Sequence, residues 1–156
     1  MLQDAFVQVY SKFKLHFYQK VFERWQDKGA TLTTVETFCM EIIYSMKNPT
    51  INEFARIANI SSPNAAYKVN RLIWKGYLKK VQSKKDKREY YLQVTDKYLE
   101  YYNISYQYMT TVMDRIKERF SKDELNLLEH VLEVMHSELM PEIELRNQPE
   151  EFNSET

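Results

Sequence analysis

Asn64, Tyr67, Lys68, Arg71 and Lys75 recur at intervals of three, four and one residues and, wound at about 100° per residue, gather on one side of a helix. Amide, guanidinium and ammonium groups arrayed in this way have a definite chemistry. Arg and Lys donate to the acceptors of guanine, Asn can pair with adenine, and every cation can bond a phosphate oxygen. Ala65, Ala66, Val69, Leu72 and Ile73 fall on the other side and make a face that packs. A polar run follows from Ser83 to Arg88, holding Lys84, Lys85, Asp86, Lys87 and Arg88. From Ser61 to Arg88 nine Lys or Arg stand against Asp86 alone, a charge of about +8. The chain has 22 basic and 22 acidic residues, so the remainder carries about −8. Phosphate attraction is screened within roughly 10 Å at ordinary salt, so the local excess counts and the neutral total does not.

These residues need a scaffold, and the flanking sequence supplies one. Thr50 with Glu53 three residues on is a capping-box pattern, and Ile51, Phe54, Ala55 and Ala58 then recur at helical spacing. Ser61 or Ser62 can cap a second helix, with Pro63 in its first turn, where a missing N–H is harmless. That helix is expected to run to about Lys75 and stop at Gly76. Tyr77 to Gln82 and Glu89 to Val94 are rich in β-formers on either side of the polar run, which predicts a hairpin with a cationic tip. Two helices joined by a tight turn, the second bearing amide and cationic groups, fit a helix-turn-helix whose second helix enters the major groove of double-stranded DNA.

Asp86, Arg88, Leu92, Val94 and Thr95 stand as D-x-R-x-x-x-L-x-V-T, which resembles the wing signature of the multiple antibiotic resistance regulator (MarR) family. Leu72, Lys75, Gly76, Tyr77 and Leu78 are similar to that family's recognition-helix ending, and the order and lengths of the flanking helices extend the resemblance over nearly the whole chain. The resemblance implies a homodimeric winged helix-turn-helix regulator, usually a repressor, released from its operator by a small ligand or by oxidation. It further implies that Arg88 enters the minor groove at the wing tip while Asp86 holds its guanidinium. Tyr98 departs from the pattern, because many members carry glycine after the wing's Thr-x-Lys. On this reading the duplex is met by Ser61, Ser62, Asn64, Ala65, Tyr67, Lys68, Arg71, Lys75, Lys84, Lys85, Asp86, Lys87 and Arg88.

The remaining chain reads as long helices. Phe6, Tyr10, Phe13, Phe17, Val21 and Trp25 form an aromatic stripe in a helix that Asp27-Lys28-Gly29 ends. Thr33 and Glu36 open another helix through Phe38, Cys39, Ile42, Ile43 and Met46, broken at Asn48-Pro49. Thr95 is expected to cap a helix reaching about Phe120, and Ser121 with Glu124 opens a last one that Pro141 ends or kinks. Such apolar faces, with only a short central unit to cover, call for a second copy of the chain. The expected fold is therefore mainly α with a small β-hairpin wing. Residues 1–30 and 96–145 supply dimerisation helices, 31–95 the DNA-binding unit, and 146–156 a frayed acidic tail.

Other chemistries find less support. Two glycines can hardly build a nucleophile elbow, phosphate loop or dinucleotide fingerprint, so neither an enzyme nor a bound cofactor is expected. His130 and His136 lie six apart, about 240° around a helix, and His16 is distant in sequence, so no metal site is expected and a zinc-sensing regulator is the weaker alternative. A single cysteine, Cys39, excludes an intramolecular disulfide framework; among apolar neighbours it reads as a small hydrophobe, with redox sensing as the alternative. No stretch approaches the roughly 20 apolar residues needed to span a bilayer, and a cytoplasmic location is expected. Tyr10, Phe13, Phe17, Tyr44 and Tyr67 are candidates to line a pocket for a small aromatic or lipid-like effector. A winged-helix module whose basic face meets an acidic protein or RNA is the competing function.

Overall fold

A computed structural model describes residues 1–26 and 32–153, the side chains of residues 25 and 101–105 excepted. The expected end of the first helix at Asp27-Lys28-Gly29 lies outside the described residues. The order is α1 (Leu2–Gln26), α2 (Thr34–Ser45), α3 (Ile51–Ala58), α4 (Ser62–Trp74), β1 (Leu78–Gln82), β2 (Tyr90–Val94), α5 (Asp96–Arg119) and α6 (Lys122–Val134). A π turn at Met135–Leu139 prolongs α6, and a 3₁₀ turn forms at Glu150–Phe152. The molecule is thus mainly helical with one antiparallel hairpin, the winged-helix arrangement expected from the sequence. None of the described helices is long and apolar enough to cross a membrane.

Residues 31–100 and 142–156 form one unit, and residues 1–30 and 101–141 another. In the first, local sequence chemistry sets each helix end. Thr33 caps α2 and Thr50 caps α3, each with its Glu three residues on returning the bond, and each such cap contributes on the order of 1 kcal/mol. Asn59 closes α3 in the left-handed conformation at φ 54°, with the Ile60 N–H reaching back 3.0 Å to the Ala55 carbonyl. Of the two serines before α4, Ser61 is the cap, and its Oγ accepts from the Asn64 N–H at 3.3 Å. Gly76, at φ 85°, turns the chain from α4 into β1.

The hairpin pairs Leu78 with Val94 through to Gln82 with Tyr90. Its second strand also meets the segment before α3, where the Leu92 N–H donates 2.7 Å to the Pro49 carbonyl beside a Thr50–Tyr91 bridge. Met40 and Ile43 of α2, Phe54 of α3, Val69 and Leu72 of α4, Leu78, Leu92 and Tyr98 close the core. Burial of each large aliphatic or aromatic side chain contributes roughly 1.5–3 kcal/mol, enough to fix α4 and the wing on one support. Tyr98, the position that departs from the family pattern, is fully buried and its hydroxyl donates 2.9 Å to Glu41 Oε1. The Thr95 hydroxyl donates 2.6 Å to the Gly76 carbonyl, tying the end of the wing to the end of α4.

The other unit has a different character. Phe13 meets Tyr108 edge-on with ring centroids 5.7 Å apart, and His16 stacks on the same ring at 3.7 Å. None of its described side chains is buried, and the apolar faces of α1 and α6 are open. A groove of about 460 Å³ runs between α5 and α6, lined by Met113, Leu125, Leu128 and Leu132 with Lys117 and His136 at its margin.

Candidate nucleic-acid interface

Helix α4 and the hairpin tip bring most of the sequence-assigned residues to the surface of one unit. Ser61, Ser62, Asn64, Tyr67 and Arg71 are exposed on α4 or at its start, and Lys68 is half-buried. Ser62 Oγ donates 3.4 Å to Asn52 Oδ1, a link across the turn between α3 and α4. Ala65 differs from its assignment. Its side chain is fully buried, because the small residue lets α4 sit close on its support, and it offers a duplex nothing.

Two cations of α4 are less free than their helical positions suggest. Arg71 Nε donates 2.9 Å to Glu36 Oε1, and Lys75 Nζ donates 2.6 Å to Glu36 Oε2. Arg71 keeps half of its side chain exposed, whereas only 12% of Lys75 remains so, which removes Lys75 from the outward face expected for it. Burial alone would raise the Glu36 carboxyl, but Lys75, the Thr33 N–H and Arg71 together hold it down at about 2. The α2 carboxylate is thus charged at neutral pH and positions the α4 cations. Sequence reasoning read Glu36 only as half of a capping box; its second role depends on α2 and α4 being packed together, which spacing along the chain cannot reveal.

At the tip the local chemistry is self-contained. Arg88 Nε and Nη2 each donate 3.1 Å to the two oxygens of Asp86, while the Arg88 N–H donates 3.0 Å to Oδ1. The Arg88 guanidinium beside it holds the Asp86 carboxyl below the usual carboxylate range. Ser83 Oγ accepts from the N–H groups of Lys85 and Asp86, at 3.1 and 3.2 Å, and Gln82 Nε2 braces the far side by donating 2.7 Å to the Lys87 carbonyl. The arrangement presents a guanidinium, its side chain 91% exposed, with a fixed orientation. Lys84, Lys85 and Lys87 are exposed around it.

The tail departs most from expectation. Residues 146–153 lie against the wing unit instead of fraying, because Arg146 finds a buried-edge carboxylate and the acidic pair finds the basic hairpin. Arg146 pairs with Glu53, and its Nη2 donates 3.1 Å to the Asn48 carbonyl. Glu150 Oε2 accepts from Lys85 Nζ at 2.7 Å, and Glu151 accepts from Ser83 Oγ at 2.6 Å and from the Lys84 N–H at 2.7 Å. Lys85, assigned to the duplex, therefore has an internal partner. An acidic tail following a basic hairpin was the one signal for this contact in the sequence.

The candidate effector residues are divided between the units. Tyr10, Phe13 and Phe17 belong to one, while Tyr44, tilted on Tyr98 at 6.0 Å, and the exposed Tyr67 belong to the other. Cys39 is buried, and burial pushes its thiol up, with Lys68 pulling the other way and Glu36 adding to the rise. Among the described residues no three His, Cys, Asp or Glu side chains group as metal ligands would.

Residues 32–90 match the model of the MarR family. Solved structures share the fold across most of their length. The transcriptional regulator Tm0710 from Thermotoga maritima is 19% identical with a TM-score of 0.58, covering 86% of this chain and 94% of its own. A MarR family protein from Bacillus stearothermophilus is 13% identical with a TM-score of 0.59, covering 88% and 92%. FabT of Streptococcus pneumoniae, solved in complex with DNA, is 18% identical with a TM-score of 0.53, covering 89% and 97%. By sequence, no characterised protein matches the chain significantly.

Proposed function

With residues 32–90 a MarR family domain on a winged helix-turn-helix fold, we propose that the chain is a sequence-specific DNA-binding regulator. It acts in the cytoplasm as a homodimer on a palindromic operator, as a repressor relieved by a small aromatic or lipid-like effector. The observation that carries this reading is the Asp86–Arg88 pair, an exposed guanidinium aimed by a bidentate carboxylate on the same unit that displays Asn64 and Arg71. A narrow minor groove concentrates negative potential and attracts an inserted Arg, while the amide and guanidinium of α4 suit base edges in the adjoining major groove. FabT, which has the same fold, binds DNA in its solved complex.

The dimer is supported by what the other unit leaves uncovered. Phe6, Val9 and Phe22 of α1 and Leu127, Val131 and Leu132 of α6 are exposed, and a two-fold copy would bury them. On this reading residues 1–30 and 96–145 join the protomers and 31–95 read the duplex. The effector, where one acts, meets the aromatic set of Tyr10, Phe13, Phe17, Tyr44 and Tyr67.

Selection of bound sequences from a random duplex pool at two salt concentrations tests the proposal. The expected result is a palindrome with half-sites about one turn, roughly 34 Å, apart. Binding without a motif that fades as salt rises would reduce the interface to phosphate attraction and overturn the sequence-specific reading.

A further inference from the structure

The carboxylate of Glu151 sits in a small cradle on the wing. Ser83 Oγ and the Lys84 N–H donate to its two oxygens at 2.6 and 2.7 Å, and Lys85 Nζ, 2.7 Å from Glu150 Oε2, supplies positive charge beside it. A hydroxyl and a backbone N–H that grip one carboxylate, with an ammonium that pairs with its neighbour, are also the donors that DNA backbone phosphates take from a DNA-binding protein. Ser83 Oγ accepts from the N–H groups of Lys85 and Asp86, bonds within the hairpin that orient the hydroxyl without the tail.

The segment that fills the cradle is held from both sides of it. Arg146 binds Glu53 and the Asn48 carbonyl, and Phe152 lies edge-on to Tyr91 with ring centroids 5.5 Å apart. Between them Gln148 Nε2 donates 2.8 Å to the Phe152 carbonyl and the Phe152 N–H donates 3.0 Å to the Pro149 carbonyl, which folds the two glutamates toward the basic hairpin. The ion pair itself is open to water, with Lys85 68% and Glu150 82% exposed. Contacts of that kind are individually weak and screened by salt, so they yield to a polyanion.

We propose that the cradle of Ser83, Lys84 and Lys85 is a DNA backbone phosphate site and that Glu150 and Glu151 of the C-terminal segment occupy it in the free protein, so that tail and duplex exclude one another. The inference rests on the DNA-binding reading above and adds a competitor carried by the chain itself. Tethering keeps the two carboxylates at high effective concentration beside the wing, which raises the threshold for weak, non-specific duplexes.

The test compares the full-length protein with the E150Q/E151Q variant, using anisotropy of a labelled random-sequence duplex at low and high salt and the ¹⁵N–¹H resonance of the Lys84 amide. The variant is expected to bind about three- to tenfold tighter at low salt, with the difference closing as salt rises. Its Lys84 resonance is expected to be displaced before duplex is added, and in wild type the duplex is expected to displace it. Equal affinities, or weaker binding by the variant, would overturn the competition while leaving DNA binding intact. If neither protein binds duplex at low salt although the variant still moves the Lys84 resonance, the competition falls together with the DNA-binding reading.

Discussion

Arg71, which helical spacing places on the outward face of α4, is held 2.9 Å from the Glu36 carboxylate of α2. The guanidinium is directed by its partner yet half exposed, so its free donors remain at the protein surface. Glu36 binds Lys75 at the same time and also returns the cap to the Thr33 N–H. One carboxylate thereby joins the start of α2 to the far end of α4.

Replacing Glu36 with Gln retains the capping geometry and removes the charge. The expected cost to folding at neutral pH is about 1–2 kcal/mol, most of it from the Lys75 contact, because solvent screens the Arg71 end. The Glu36 carboxyl is held at about 2, below its unfolded value near 4.5, so its stabilisation is complete above that value and is lost as pH falls through about 2. Urea melts should therefore show the gap between wild type and variant narrowing across that acid range. A gap that stays constant down to pH 2 would show that the charge is not what Glu36 contributes.

Glu41 behaves in the opposite sense. Burial pushes its carboxyl up to about 7, against the lowering effect of the Tyr98 hydroxyl. Because the folded protein holds this proton more tightly than the unfolded chain, the group's contribution to stability declines as pH rises from about 4.5 to about 7 and is level above that. Glu41→Gln is expected to raise stability at pH 8 by on the order of 1–3 kcal/mol and to flatten that decline. Thermal melts at pH 5 and pH 8 measure it; an unchanged slope in the variant would remove Glu41 as its source.

Arg88→Ala should weaken duplex binding about tenfold and leave the melting temperature unchanged, since the side chain stands clear of any packed face. Asp86→Ala should act in the same direction but less strongly, because the cation stays while its fixed orientation is lost. Anisotropy with a selected duplex and parallel melts are the measurements, and wild-type affinity in Arg88→Ala would refute the wing assignment.

Asn64→Ala separates readout from clamping. If the exposed amide reads a base, its loss relaxes preference at one position by about 1–3 kcal/mol while other sequences are little affected. A uniform loss over all sequences, seen when the variant is put through the same pool selection, would make Asn64 a phosphate contact instead.

The capping boxes at Thr33, Thr50 and Ser121, a serine cap at Ser61 or Ser62 and the stop at Gly76 were legible because each depends on residues a few positions apart, and chain chemistry alone sets such features; the structure chose Ser61. The Asp86–Arg88 pair was implied by the family resemblance, and it too is a local bond, spanning two residues at a hairpin tip. Ala65 was assigned to both faces of its helix, and only packing resolved it as core.

The helix-turn-helix, the hairpin and the basic charge gathered on them follow from periodicity, caps and local composition, and so could be read from the residues alone. Which cations face outward is instead a matter of long-range packing. Glu36 meets Arg71 and Lys75 across separations of 35 and 39 residues, and Glu151 meets Ser83 across 68. Contacts between residues so far apart exist only after the core has closed, because burial of Phe54, Leu72, Leu92 and their neighbours is what brings those segments together.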